Sequence, residues 1–221
     1  MKKYSAVVFD WDGTLMDSTH SIVTAIQGAC RDLELPVPDD AQASWVIGLP
    51  FDPALRHAVP DLPESMKPYF LERFSTHYLV RDHQLKLFDG VEDMLDDLKA
   101  AGANLGVATG KNRIGLNRAL TATSLHNYFT ATRCADETFG KPHPGMLLEL
   151  IDELLVPDPT DLLMVGDTSH DLNMAANAGV HGLGVTYGAH PEQELRACAH
   201  QGIVHDVSGL RVWLLDRITQ S

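Results

Sequence analysis

The chain has few cysteines, no long apolar run and a shortage of positive charge. Cys30, Cys134 and Cys198 are an odd set, far apart and without a C-x-x-C pair. Such spacing excludes a disulfide framework and a thiolate zinc site, and fits a reducing, cytoplasmic setting. Histidine is commoner, yet none of the eleven stands four residues from another, so the helical metal pair H-x-x-x-H is missing. They read mostly as surface or capping residues. Only 17 Lys and Arg face 30 Asp and Glu, a net charge of -13. A phosphate backbone is held mainly by Lys and Arg, so nucleic acid is a poor partner, whereas a small anion needs only a local positive site. The apolar run in "MKKYSAVVFDWD" ends after four residues at Asp10, too short for a signal-peptide core, and no stretch reaches membrane-spanning length. Low-complexity tracts are absent. What is present, 44% hydrophobic and 21% charged residues in a chain of 221, suits one globular unit with room for an insertion.

Strand-type apolar runs recur at 4–9, 103–108, 161–165 and 181–185, with a weaker one at 203–206. Helix-period segments separate the later ones: "VEDMLDDLKAAG", "RIGLNRALTATSL", "GMLLELIDELL" and "DLNMAANAGV". Strands alternating with helices predict a doubly wound, Rossmann-like α/β core with a parallel sheet. About 95 residues separate the first two strands, where one crossover needs roughly 30. The excess predicts a helical insertion over residues 16–85, with the core formed by 1–15 and 86–221. Within the insertion Ile22, Val23, Ile26, Cys30 and Leu33 share one helical face, "ESMKPYFLERFSTHYL" gives another amphipathic run, and six prolines break the rest into short helices.

Ligands of open α/β sheets bind beyond the carboxyl ends of strands, so the residues following each strand matter most. After the first come Asp10 and Asp12, separated only by Trp11; after the second, Thr109, Gly110 and Lys111; after the third, Asp167 and Asp171. Two acids on one face of an extended segment repel unless a cation, a shared proton or solvent intervenes. Asp10, Asp12 and Asp167 together offer the hard oxygen donors that suit magnesium. Asp171 fits two roles, support of that metal and a favourable acid in the first turn of a helix. Thr109 and Gly110 could hold one phosphoryl group through a hydroxyl and backbone amides. The stretch "ATGKNR" is not a phosphate loop: Leu105 stands where that loop needs its first Gly, and Asn112 where it needs Ser or Thr. Lys111 and Arg113 sit at a helix N-terminus, an unfavourable place for cations that a nearby anion would explain. Lys141, stiffened by Pro142 and Pro144, is suited to neutralising charge, although alone it reads as an ordinary exposed lysine.

"DWDGTLMDS", "ATGK", "GKPHP" and "GDTSHDLNMAANAG", in this order and with a cap-sized gap, resemble the haloacid dehalogenase superfamily, specifically its capped phosphatases. The resemblance spans essentially the whole chain. It implies a magnesium-dependent phosphatase in which Asp10 forms an aspartyl phosphate and Asp12 is the acid and base. It further implies that Thr109, Gly110 and Lys141 hold the phosphoryl group. Asp10, the backbone carbonyl of Asp12 and Asp167 would bind Mg2+, and Asp171 would orient metal-bound water. The substrate it implies is a small phosphorylated metabolite of the phosphoglycolate kind, with Arg56 and His57 weighed as partners for a carboxylate. Asp12 argues against dehalogenation, which needs no proton donor. The cap lysine Lys67 lies too far along the insertion for a phosphonoacetaldehyde-hydrolase Schiff base. A β-phosphoglucomutase-like transferase shares the nucleophile and acid, but its last motif usually has adjacent acids, unlike "GDTSHD". A phosphoaspartate receiver, the non-enzymatic alternative, lacks both the insertion and the second acid.

Overall fold

A computed structural model describes residues 4–82 and 85–218. The termini of the expected core range, 1–3 and 219–221, and residues 83 and 84 of the expected insertion lie outside the described residues. The strands are β1 (Ala6–Phe9), β2 (Met16–Asp17), β3 (Lys86–Leu87), β4 (Asn104–Thr109), β5 (Ala131–Cys134), β6 (Leu162–Gly166), β7 (His181–Val185) and β8 (Ile203–Val204). Between β2 and β3 lie α1 (Thr19–Asp32), α2 (Asp40–Trp45), α3 (Phe51–Ala58) and α4 (Lys67–Asp82). The remaining helices are α5 (Val91–Ala100), α6 (Arg113–Thr123), α7 (Gly145–Glu153), α8 (Ser169–Asn177), α9 (Glu192–Arg196) and α10 (Val207–Leu215).

Six strands form one parallel sheet in the order β5-β4-β1-β6-β7-β8. β1 is buried along its whole length because both sheet faces are covered, which is why it reads as an unbroken apolar run. Val7 and Phe9 join an apolar cluster with α5 and α10; Ala6 and Val8 join the opposite one with α7 and α8. The doubly wound core predicted above is thus realised. In α5 the buried positions Val91, Met94, Leu95 and Leu98 follow the i, i+3, i+4, i+7 rhythm of one helical face. The chain runs from β1 to β4 and β5 on one side and then crosses to β6, β7 and β8 on the other. The switch point therefore lies at β1, where such sheets place their ligands.

β5 escaped the sequence pattern because Thr132 and Arg133 occupy its centre and it lies at the sheet edge, half exposed. α10 was also missed; Asp206 caps it by accepting a bond of 2.7 Å from Gly209 N. The helices between β2 and β3 enclose an apolar cluster of their own, with Val23, Ile26, Cys30, Leu55 and Phe70 at its centre and α1 packed along α4. The chain leaves the core at β2 and returns at β3, and these pair antiparallel, Met16 with Leu87 and Asp17 with Lys86. Among the described residues no helix is long and apolar enough to cross a membrane.

Candidate active site

The parallel register sets Phe9 level with Val107 of β4 and Val165 of β6. Asp10, Thr109 and Asp167 consequently emerge side by side at the carboxyl end of the sheet. All three are essentially fully buried. Asp167 is held by both oxygens: Thr14 Oγ1 donates to Oδ1 at 2.7 Å and Ala189 N to Oδ2 at 2.7 Å. Asp10 is held less, and its Oδ2 has no hydrogen-bond partner although it is buried. Lys141 is not the exposed lysine its local sequence describes. Its Nζ is buried 2.7 Å from Asp10 Oδ1 and 2.7 Å from Asp171 Oδ1.

Asp171 takes the second of the roles open to it, the acid in the first turn of a helix. Its Oδ2 accepts from Thr168 N at 3.1 Å and Thr168 Oγ1 at 2.7 Å, closing a capping box at the start of α8, while Oδ1 faces Lys141. Asp10, Asp167 and Asp171 each offer an oxygen within 4.8 Å of the others. The carboxylate of Asp12 does not join them. Ser18 Oγ donates to its Oδ1 at 2.6 Å, and Lys111 Nζ lies 3.0 Å from its Oδ2. The anion that explains Lys111 is therefore Asp12, and the same Nζ donates to Tyr78 OH of α4 at 3.0 Å. Arg113 turns away, to Glu137 at 2.8 and 2.6 Å.

The charges are out of balance. Burial pushes the Asp10 carboxyl well above the usual carboxylate range, with Lys141 opposing and Asp171 and Asp167 reinforcing. Burial, aided by Asp171, pushes Asp167 up to about 7. Burial disfavours the Lys141 ammonium, but Asp10 and Asp171 outweigh it and hold its pKa above that of a free lysine. Three carboxylates thus share one ammonium, and a divalent cation would relieve the excess.

This imbalance has a measurable consequence in metal-free protein. A carboxyl whose folded pKa is raised stabilises the fold below its unfolded value, 3.8, and that contribution is lost as pH rises towards about 7. Asp167→Asn removes the titration. The melting temperature of the variant minus that of the wild type, measured in chelator, is expected to grow between about pH 4 and about pH 7. A pH-independent difference would refute the assignment.

Several contacts were not legible in the sequence. Gly48, in the segment between α2 and α3, lies directly above the acids: a Cβ there would sit 3.7 Å from Asp10 Oδ2. A Cβ on Gly110 would meet the Gly48 carbonyl oxygen at 2.6 Å, and one on Gly140 would meet Pro50 Cγ at 2.0 Å. Beside them, the Trp45 carbonyl lies 2.8 Å from His170 Nε2 and 3.0 Å from His190 Nε2. These two histidines are buried, against the expectation of surface positions. Burial pushes His170 down to about 4, so it is neutral at neutral pH. His143 is the local cap expected, accepting from Gly145 N at 3.1 Å.

Residues 7–185 match the family model "Haloacid dehalogenase-like hydrolase". The chain belongs to that family. It is 38% identical over 208 residues to the "Probable phosphatase IndB" of Dickeya dadantii (strain 3937), an alignment covering 91% of this chain and 90% of the relative. It is 31% identical to the phosphoglycolate phosphatase of Escherichia coli (strain K12), covering 82% of this chain and 81% of the relative. In three dimensions it is similar to a crystal structure of a "predicted phosphatase" from Clostridium acetobutylicum, with a TM-score of 0.84 at 25% identity, covering 97% of this chain and 100% of the other. The family and the phosphatase relatives make this haloacid dehalogenase-like chain an enzyme, a phosphatase.

Proposed function

We propose that this phosphatase hydrolyses monoesters of small phosphorylated metabolites through an aspartyl phosphate on Asp10, with Mg2+ as its cofactor. The observation that carries the reading is the convergence of Asp10, Asp167, Asp171 and Lys141 at the switch point of the sheet. The donor set fits the metal: hard carboxylate oxygens, buried, one of them without a partner on Asp10. Asp10 and Asp167, with the Asp12 backbone carbonyl, would hold the ion, and Asp171 would support it. When bound, it would supply positive charge to the phosphoryl oxygens and keep Asp10 ionised.

In the first step an oxygen of Asp10 attacks phosphorus while the bond from phosphorus to the ester oxygen breaks. Asp12 gives its proton to the departing alkoxide. In the second step Asp12 takes a proton from water, the resulting hydroxide attacks phosphorus, and the Asp10–phosphorus bond breaks to release inorganic phosphate. Thr109, the Gly110 amide and Lys141 would hold the phosphoryl oxygens in both steps. Chelation is expected to abolish turnover, and added Mg2+ to restore it. Acid quenching during turnover of a radiolabelled ester should trap label on Asp10. Full activity in metal-free protein would overturn the reading.

Residues 16–85 act, in this reading, as a cap that closes over the acids and excludes water. Gly110 makes closure possible, since a Cβ on it would meet the Gly48 backbone, while Gly48 takes a φ of +88° that favours glycine. Gly110→Ala keeps the backbone N–H but sets a methyl against the Gly48 carbonyl. It is expected to lower kcat/KM by about 10 to 10²-fold, because small misplacements are costly in a preorganised site. Protease sensitivity at 46–50 should rise in parallel. Lost activity with unchanged protection there would refute closure as the cause.

A further inference from the structure

The space between the insertion and the core is a cavity of about 640 Å³. One end carries Asp12, Gly110 and Lys111, so it opens onto the place where the ester oxygen would leave. The rest is apolar. Ile22, Ile26, Phe70, Phe74 and Leu79 line it from the cap, and Ile114 from α6. The volume lies in the range of roughly 300 to 1,000 Å³ typical of sites that enclose ligands much larger than a two-carbon acid.

The distribution of charge is equally telling. Among the described residues lining the cavity, the cap contributes no Lys, Arg or His; the two cations, Lys111 and Arg118, both come from the core. Lys111 already serves Asp12 and Tyr78. Arg56 and His57, the candidates for a substrate carboxylate, do not line the cavity: Arg56 is exposed, and His57 stacks on Trp45 at 4.0 Å between ring centroids. Lys67 pairs with Asp52 and Glu64 on the far side. On the cap side a carboxylate would lose its water and meet only the hydroxyls of Ser75 and Tyr78, with no cation to offset its charge. Meanwhile Leu79 and Ile114 are 46% and 77% exposed, apolar surface that a ligand in the cavity would cover.

We propose that the ester cleaved here carries a bulky apolar alcohol, an aromatic ring or an alkyl chain, and not a short acid such as glycolate. The proposal rests on the phosphatase reading above and specifies the leaving half of its substrate. The phosphoryl group sits among the acids and Lys141, while the organic part lies along α1 and α4.

The test compares n-propyl phosphate, n-hexyl phosphate and phosphoglycolate with the full-length, Mg2+-loaded protein. The two alcohols leave with the same intrinsic difficulty, so their ratio reports contact alone. Burial of each methylene is worth roughly fourfold, so n-hexyl phosphate should exceed n-propyl phosphate about 60-fold in kcat/KM, with phosphoglycolate below both. Phosphoglycolate turned over as well as n-hexyl phosphate would overturn the substrate class while leaving the phosphatase reading intact. Turnover of none of them would sink the phosphatase reading instead. Binding then decides the substrate class: calorimetry should show n-hexylphosphonate binding tighter than phosphonoacetate, and the reverse order would overturn it. Leu79→Asp and Ile114→Asp change exposed positions and should cut the hexyl-to-propyl ratio at least about fivefold. An unchanged ratio in both variants would remove the cavity from the explanation.

Discussion

Asp10→Asn is expected to retain the fold and to lose turnover of every phosphate monoester by about 10⁴-fold or more, the scale of removing a covalent nucleophile. The amide occupies the same volume but presents no anionic oxygen to phosphorus. The substitution also removes a strained charge, because burial holds the Asp10 carboxyl far above its usual range. The metal-free variant should therefore melt no lower than the wild type, a trade of stability for function. Asp12→Asn makes the contrast. It leaves the nucleophile in place, so acid quenching should still trap phosphate, but formation of the intermediate from an alkyl ester should slow by about 10² to 10⁴-fold for want of an acid. An aryl ester, whose phenolate leaves without help, should be relatively spared in that step under single-turnover conditions. Label trapped in Asp10→Asn, or equal slowing of both ester types in Asp12→Asn, would refute these roles.

Lys141→Met should damage both catalysis and the fold. The methionine matches the length of the lysine stem but takes the one ammonium away from Asp10 and Asp171, each 2.7 Å distant. Removing one partner of a buried ion pair costs about 3–5 kcal/mol, since the other charge is left in a dry site. The cost should be largest in chelator at about pH 8 and shrink at about pH 5, where Asp10, whose carboxyl burial holds well above the usual range, is relieved by protonation. Burial pushes Asp167, a nearby acid, up to about 7 as well, which acts in the same direction. Activity should fall by about 10³-fold, the usual loss when a charge aimed at the reacting group is deleted. Chemical denaturation at the two pH values measures the first effect, and single-turnover rates the second. An equal stability loss at both pH values would mean that packing, not charge, is what Lys141 supplies.

What the sequence made legible follows from range. β1, β4, β6 and β7 announce themselves because strands buried on both faces must be apolar throughout. Asp10 and Asp167 stand out because they break such runs at the same level of the sheet. β5 does not, since an edge strand tolerates Thr132 and Arg133. Lys141 shows the limit of local reading. Nothing between Gly140 and Pro144 distinguishes a buried lysine from a solvated one; only the carboxylates of Asp10, after β1, and Asp171, at the start of α8, do so. The Gly48–Gly110 contact and the bonds between the Trp45 carbonyl and His170 and His190 join residues far apart in the chain, with no periodicity to mark them. The His170 and His190 rings looked like surface residues for the same reason. Lys111 lay between: its awkward place at a helix start implied an anion, but not that the anion was Asp12.

The ribbon formed by β2 and β3 has a mechanical meaning. Met16 and Asp17 leave the core as a strand paired with Lys86 and Leu87, and Phe88 N donates to Leu15 O at 3.0 Å just below. Two single tethers could twist independently and let the helices between them tumble. Laced together, they would bend in one direction far more easily than they twist, so in the proposed closure the helices would swing as a door about one axis. Each swing would then bring Gly48 back onto Gly110 in the same register, and Asp12, only four residues before Met16, would feel every opening.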